Sequence, residues 1–597
     1  MGSQRCAAVV AMLLACCFIP GEPAEAQTTE AYYLVGGEKV PLTPSPAFSA
    51  FKLKPGTSRE GAAVFKSSVA EAGIGTAVQH PLLEKRGIVL VRIAPNVGPS
   101  TVRQGVGSLV ARSEVEAEHP VYSVRGVDQV LVNEFVVQFR DGTEPAAIER
   151  SLAEKGATVL RKPGKIANRY VVTFPGKIPR EALDAANAYA ADGKVRFVEP
   201  SFVVIFPARP VPKKEGAEPA APPPGPSAKQ PGETATPLDP LYPFQWHLHN
   251  SNDADIDAPR AWDVTKGAPS VIVAIVDEGV DVQHPDLISK IITPYDATDG
   301  DNDQQPNPAD GHGTSCAGIA AAITGNVKGV AGIGWETRIM PVRIAQGASG
   351  GGWATTYETI EDGIRTAVDR GAQVLSCSWG GGYSNVVNEA IDYAISKNRA
   401  MVFAAGNDAG PISWPANLSA SKDIIAVGAT NQKDEFKTPT SSDGETWWGS
   451  NFGAQMSVVA PGVGMYTTDI HGDDGYAAGD YVANFNGTSS ATPLVAGVAS
   501  LLLAQNPTWT PAQVRARLQQ TADDLGPSGF DNQFGHGRVN ACKAVGGQEC
   551  NGDGPDCSSV APGAKSGGQA FLNVLLILSA ALLLLVPLFR KPQPLAR

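Results

Sequence analysis

The chain is short of cysteine: eight in 597 residues, three of them before residue 18. Five remain, Cys316, Cys377, Cys542, Cys550 and Cys557. An odd handful in a chain this long excludes a small fold stapled by disulfides. Cys550 and Cys557 sit in the polar run GQECNGDGPDCSS, spaced to close a small loop; Cys316 and Cys377 lie among apolar residues and read as buried thiols. Basic charge is also in deficit. Forty-eight Lys and Arg against 60 Asp and Glu leave a net charge of −12, which excludes the basic footprint of a nucleic-acid binder. The remaining bulk numbers, 43% hydrophobic and 18% charged, are ordinary for globular protein. The length calls for about two to four domains.

Long apolar runs mark the two ends. Arg5 precedes an apolar run over 6–19 and the small-x-small triplet AEA at 24–26, the layout of a secretory signal (1–26) cut after Ala26. Cys16, in LLAC, is a competing lipidation site. Near the other end, 571–589 is apolar except for Asn573 and Ser579, long enough to span a bilayer, with Arg590, Lys591 and Arg597 behind it. The pattern predicts an exported chain anchored by a membrane helix, with a basic cytoplasmic tail at 590–597. Polar spacer, apolar helix and basic end also resemble sorting tags that are clipped during surface display.

Residues 207–238 are roughly one-third proline, a composition that builds no core and reads as a linker. Before it, a pattern repeats. EFVVQF (134–139), RYVVTF (169–174) and VRFVEPSFVVI (195–205) read as strands, with helices at EPAAIERSLAEKG and PREALDAANAYA between them. About 80 residues earlier, FSAFKL, GIVLVRI (87–93) and VEAEHPVYSV (115–124) keep the same order, with helices near 59–72 and 99–112. Two α+β, β-α-β-β-α-β ferredoxin-like units are predicted in tandem, 27–130 and 131–206. Over 239–546, continuous apolar strands such as SVIVAIVD (270–277) alternate with helices at 312–323, 355–370 and 386–397. That is the pattern of a doubly wound α/β domain with a mostly parallel sheet. A Cys-bearing spacer, 547–570, leads on to the apolar helix.

In such sheets ligands sit at the carboxyl ends of strands, where Asp277 and Asn407 stand. His312 in GHGTSCAG and Ser489 in NGTSSATP each open a helix. Alone, each has an ordinary structural explanation, as a turn cap or a helix start. Together they supply an acid, a base and a nucleophile, in the order Asp, His, Ser. A serine hydroxyl is a weak nucleophile until a base takes its proton. Histidine does that near neutral pH, and a buried carboxylate fixes its tautomer.

On these residues the chain resembles the subtilases, the subtilisin and kexin family of serine endopeptidases. The segments VDEGVDVQHPDL, HGTSCAG, AAGND, NGTSSATP and DNQFGHGRVNACKAV carry the resemblance across 240–546. It implies a subtilisin-like sheet, a triad of Asp277, His312 and Ser489, and Asn407 as oxyanion donor beside the Ser489 N–H. It implies that SCSWGG pairs with substrate backbone, Ser378, Trp379 and Gly380 lining the groove. Structural calcium is implied at Asp296, Asp301 and Asp303 in YDATDGDNDQQP, and at Asp239, Asp286 and Asn326. The unit at 134–204 resembles a propeptide that assists folding and inhibits until cleaved, and 31–125 a copy of it. Cysteines in HGTSCAG and SCSWG lean towards the kexin branch, but SWGG is followed by no acid until Glu389, so dibasic specificity is not expected. The function expected is a self-processing, membrane-anchored endopeptidase acting on proteins or peptides, with its own propeptide as a partner. The alternative readings are a non-catalytic surface binding module of the same fold, or a peptide ligase or esterase running the same acyl-enzyme chemistry. Of the adjacent serines, Ser489 rather than Ser490 is the expected nucleophile.

Overall fold

The structure, a computed structural model, describes residues 31–206 and 235–547 apart from 125, 164–165 and 349–351. The expected signal, most of the proline-rich linker, the spacer beyond Gly547 and the 571–589 helix lie outside the described residues. A hairpin comes first, β1 (Ala31–Val35) and β2 (Glu38–Pro44), turned through Gly36 and Gly37 at φ values of 59° and 87° that glycine takes freely. There follow β3 (Phe48–Leu53), α1 (Arg59–Glu71), β4 (Gly75–Val78), α2 (Pro81–Glu84), β5 (Ile88–Ile93), α3 (Pro99–Val110) and β6 (Val115–His119). Their antiparallel sheet runs β4-β5-β3-β6. Ser58 caps α1 by accepting the Gly61 N–H, and α3 opens on Pro99, whose missing N–H would have had no helical partner. Pro120 then interrupts the extended chain, because proline cannot donate to a ladder. Beyond it come β7 (Val121–Val124), β8 (Val127–Phe139), α4 (Pro145–Glu154), β9 (Thr158–Arg161), β10 (Arg169–Thr173), α5 (Pro179–Ala190) and β11 (Val195–Phe206). The order β9-β10-β8-β11 repeats that of the first unit, so the duplicated ferredoxin-like pattern is present in the topology.

The boundary expected at residue 130 shifts. β1, β2 and β7 join the second sheet, in the order β1-β2-β7-β8-β11. The first unit is therefore confined to 48–119, inserted between β2 and β7. The cause is β8. At 13 residues it is long enough to pair with β7 along its first part and with β10 along its last.

Beyond the linker, α6 (Ala258–Val264) leads to β12 (Ile272–Asp277), β13 (Tyr295–Asp296), α7 (His312–Ala321) and β14 (Arg338–Arg343). A hairpin, β15 (Gln346–Ala348) and β16 (Gly352–Thr356), precedes α8 (Tyr357–Asp369), β17 (Val374–Cys377), α9 (Asn385–Ser396), β18 (Ala400–Ala404), β19 (Ile425–Thr430) and β20 (Val458–Pro461). A second hairpin, β21 (Met465–Thr468) and β22 (Tyr481–Phe485), leads into α10 (Thr488–Gln505). Seven strands form one parallel sheet, β13-β14-β12-β17-β18-β19-β20. Both its faces are dry. Val273 and Ile275 of β12 pack with α7 and α10, while Ala274 and Val276 pack with α8 and α9. That is the two-residue alternation of a strand covered on both sides, as the continuous apolar run implied.

One sheet joins the two parts. The end of β11 pairs antiparallel with β16, from Val203 opposite Thr356 to Phe206 opposite Trp353. Arg169 of β10 is wholly buried and bonds Gln138, Glu361 of α8 and Glu389 of α9. Glu199 of β11, also buried, accepts from Ser384 Oγ and from the Asn385 N–H, both at 2.7 Å, at the start of α9. Cys316 and Cys377 are buried thiols, as expected, whereas Cys542 is disulfide-bonded, which was not foreseen. No helix among the described residues is long and apolar enough to cross a membrane.

Arg169→Leu removes the cation that Glu361 and Glu389 share, although Arg365 and Arg196 stay beside them. The expected loss, read by urea denaturation of the full chain, is at the lower end of the range for a broken buried pair, about 3 kcal/mol. A loss under about 1 kcal/mol would mean that water already screens both carboxylates.

Candidate active site

β12 is an inner strand of the parallel sheet, and its carboxyl end carries Asp277, which is 1% exposed. A carboxylate so placed needs donors. Oδ1 accepts the Glu278 N–H at 2.9 Å and His312 Nδ1 at 2.8 Å, while Oδ2 has no hydrogen-bond partner among the described residues. With Nδ1 turned to Asp277, proton transfer falls to Nε2. His312 is the first residue of α7. Its own N–H donates to Glu278 Oε1 at 2.7 Å, and its ring meets Phe485 edge-on, centroids 5.4 Å apart.

Ser489 is the second residue of α10. Gly487, just ahead of the helix, has a φ of 120°, and a Cβ on it would come 3.0 Å from Asn407 Nδ2 and 3.6 Å from Ser489 Oγ. The Asn407 amide and the Ser489 hydroxyl thus border one small space. Asn407 is held by its other end, since Oδ1 accepts the Thr488 N–H at 2.9 Å and the Thr488 hydroxyl at 2.7 Å. Pro493 lies inside α10, past its first turn, and removes the N–H that the Ser489 carbonyl would accept four residues on. Ser378 Oγ and Cys316 Sγ take its place, at 3.0 and 3.5 Å. Cys316 Sγ is also 3.9 Å from His312 Nδ1, so one thiol touches both the histidine and the serine backbone. Ser490 gives its hydroxyl to the carbonyls of Gly462 and Gly487. Among the described residues, Asp277, His312 and Cys316 are the one group of three carboxylate, imidazole or thiol ligand atoms within 4.8 Å of one another.

The expected groove residues divide. Ser378 turns its hydroxyl inward, and Trp379 is 2% exposed, its Nε1 bonded to the Val276 carbonyl at 2.8 Å and its ring edge-on to Phe403. Trp379 therefore lines no groove with its side chain. An indole at the end of a strand buried on both faces is drawn into the core. Gly380 is half-buried, and Gly381 donates its N–H to the Trp414 carbonyl at 2.8 Å.

The two expected cation sets also part company. Asp239 and Asp286 are buried around the loop after α7. Asp239 accepts the Gly325 and Asn326 N–H groups, and Asp286 accepts the Val330 N–H and Asn326 Nδ2. Burial pushes the Asp286 carboxyl up to about 6 and raises Asp239 as well. Two desolvated carboxylates side by side suit a hard cation, provided that the Asn326 amide turns its oxygen inward from the Lys328 N–H. Asp296, Asp301 and Asp303 do not converge. Asp296 is buried against Arg343 at 3.4 Å and accepts from Thr298; it exchanges backbone hydrogen bonds with Asp301, but the Asp301 and Asp303 side chains are exposed, with the Asp303 N–H donating to Asp301. Arg343 supplies the positive charge beside Asp296.

Reasoning from sequence missed Glu278, Asp310 and Thr488. The signal for Glu278 was present, an acid directly after Asp277 in a buried turn. Burial, then the neighbouring Asp310, push its carboxyl well above the usual range. Asp310 is raised too, again by burial, and it accepts the Gly347 N–H of β15 at 2.8 Å.

Residues 268–537 match the model of the Subtilase family, and 123–201 that of the Fervidolysin N-terminal prodomain. Thermitase from Thermoactinomyces vulgaris is 38% identical over 312 residues, 52% of this chain and 99% of that protein. A protein named calcium-dependent protease, from Trichormus variabilis, is 28% identical over 463 residues, 70% of this chain and 63% of that one. Among solved structures, fervidolysin from Fervidobacterium pennivorans is similar with a TM-score of 0.55 at 26% identity, over 71% of this chain and 62% of that one. The chain belongs to the subtilase family and is a subtilisin-like serine protease, a hydrolase.

Proposed function

We propose that the chain is an exported serine endopeptidase made as a self-processing precursor, with Asp277, His312 and Ser489 as its triad. The observation that carries this reading is the 2.8 Å bond from His312 Nδ1 to Asp277, set beside a Ser489 whose helix start is locked to Asn407. His312 Nε2 takes the Ser489 proton as Oγ attacks the peptide carbonyl, and Asp277 steadies the imidazolium. Asn407 Nδ2 and the Ser489 N–H receive the oxyanion. His312 then returns the proton to the leaving amine, and water releases the acyl group by the reverse steps. Ser378 and Cys316, by holding the Ser489 carbonyl, keep the first turn of α10 in place. The apolar segments 6–19 and 571–589 support export and attachment to a membrane.

In this reading the N-terminal region is the inhibitor. β11 occupies the edge of β16 that β15 leaves open. The first unit packs over that seam, with Ala50, Leu83 and Leu90 in one cluster with Val203, Ile205 and Ala354, and Lys85 paired to Asp299 at 2.9 Å. Both units then act together, and a cut in 207–238 frees the enzyme. Asp239, Asp286 and Asn326 would hold structural calcium, a dependence carried in the name of one relative. Asp239 and Asp286, both buried, would have their charges balanced by such an ion, and the loop after α7 would be tied through Asn326.

Ser489→Ala is expected to abolish both linker cleavage and labelling by a fluorophosphonate, while Ser490→Ala keeps most of each. Mass spectrometry of purified precursors reads both, and cleavage that persists in Ser489→Ala without added protease would sink the self-processing reading. Calcium should raise the melting temperature of the full chain, and Asp286→Asn should abolish that rise; an equal rise in the variant would place the ion elsewhere. Burial pushes the Glu199 carboxyl up to about 7. Because this folded value is raised, the stability Glu199 contributes is complete below the ordinary carboxyl value of 4.5 and is lost as pH rises through about 7. Release of the cut N-terminal region should accordingly grow easier between about pH 5 and 8, and Glu199→Gln should flatten that trend, as read by size exclusion of cleaved enzyme.

A further inference from the structure

Glu278 is 5% exposed and lies directly after Asp277. Its Oε1 accepts the backbone N–H of His312 at 2.7 Å. That N–H is the first of α7. The opening N–H groups of a helix have no partner inside it, and Gly311, at the N-cap position, has no side chain to offer one. The cap therefore arrives through space from the end of β12. In the same turn Asp277 Oδ1 takes both the Glu278 N–H and the His312 ring. Two consecutive residues thus grip one histidine at two points, its ring and its backbone.

The surroundings leave this grip little slack. A Cβ on Gly313 would lie 2.1 Å from the Gly279 carbonyl oxygen, so the turn after Glu278 and the first turn of α7 are in backbone contact. With only the ring bond, the imidazole could swing about the line from Nδ1 to Oδ1 as the helix end shifts. With the backbone N–H fixed as well, Nε2 has one direction. We infer that Glu278 is a positioning residue, which aims His312 Nε2 by capping the helix that carries it. This rests on the triad assigned above. The cap needs a carbonyl oxygen at that reach and does not need a negative charge. Burial favours the neutral carboxyl, and the neighbouring acids Asp310 and Asp277 push the same way.

Reach and charge can be separated. Glu278→Gln keeps the oxygen and loses the acid; Glu278→Asp keeps the acid and withdraws the oxygen by one methylene. Each would be made in the full chain, allowed to process, and compared with the parent for kcat and KM on a peptide the parent cleaves. The fluorophosphonate labelling rate at Ser489 and the melting temperature would be measured alongside. Glu278→Gln is expected within about threefold of the parent in kcat, and Glu278→Asp lower by about 10- to 100-fold, with KM in both little changed. If Glu278→Asp matches the parent, or Glu278→Gln falls as far as Glu278→Asp, the positioning role is wrong. A change confined to melting temperature also overturns it. If the parent itself neither cleaves nor labels at Ser489, the triad assignment fails first and takes the proposal with it.

Discussion

A carboxylate taken out of water at the end of a buried strand must find donors, and the bond from His312 Nδ1 to Asp277 Oδ1 is the contact on which the rest of this structure turns. It joins β12 to the start of α7 across 35 positions of sequence. The parallel sheet supplies the depth that keeps water from competing. α7 and α10 share one face of that sheet and lie close together, and Gly497 permits the approach: a Cβ there would stand 3.0 Å from the Ala320 carbonyl oxygen. Once those two helices are fixed, their N-termini deliver His312 and Ser489 to the same place. Thr488 then draws in Asn407 from the end of β18.

The N-terminal region uses a different balance. Its grip on the second domain combines an apolar seam over β11 and β16 with buried polar anchors, Arg169 and Glu199. The apolar seam holds whatever the pH. The anchors do not, because buried ionisable groups are stable only while their partners and the surrounding dryness last. Admitting water at one anchor weakens the other, since both meet α9. A contact built that way is tight while closed and yields abruptly once opened, which suits a segment that must both hold and leave.

Much of this was legible beforehand, and the failures have physical causes. The continuous apolar run ending in Asp277 announced a strand buried on both faces, and the repeated β-α-β-β-α-β order survived as repeated sheet topology. The misplaced unit boundary came from β8, of which only 134–139 read as strand, yet the full strand meets β7, β10 and β11. Trp379 was assigned to a groove because its segment was identified by resemblance, but strand alternation at a buried edge sends the indole inward. Asp296, Asp301 and Asp303 were read as a cation loop from their crowding and from the resemblance. Spacing says nothing of Arg343, 40 residues on from Asp303, which neutralises Asp296 instead. The use made of the carbonyl that Pro493 frees depends on Ser378 and Cys316, both far away in sequence.

Local pattern and residue type were enough for the family and for the alternation that builds the sheet, and they named the acid, base and serine that are proposed as the triad. Tertiary structure alone decided which oxygen of Asp277 meets His312, that Glu278 caps the histidine's helix, that Asn407 presents nitrogen rather than oxygen towards Gly487, and which acidic pair suits a cation. Each of these is a matter of which donor fills a buried vacancy first. That competition is settled by distance in the packed molecule, where residues 30 to 350 positions apart become neighbours.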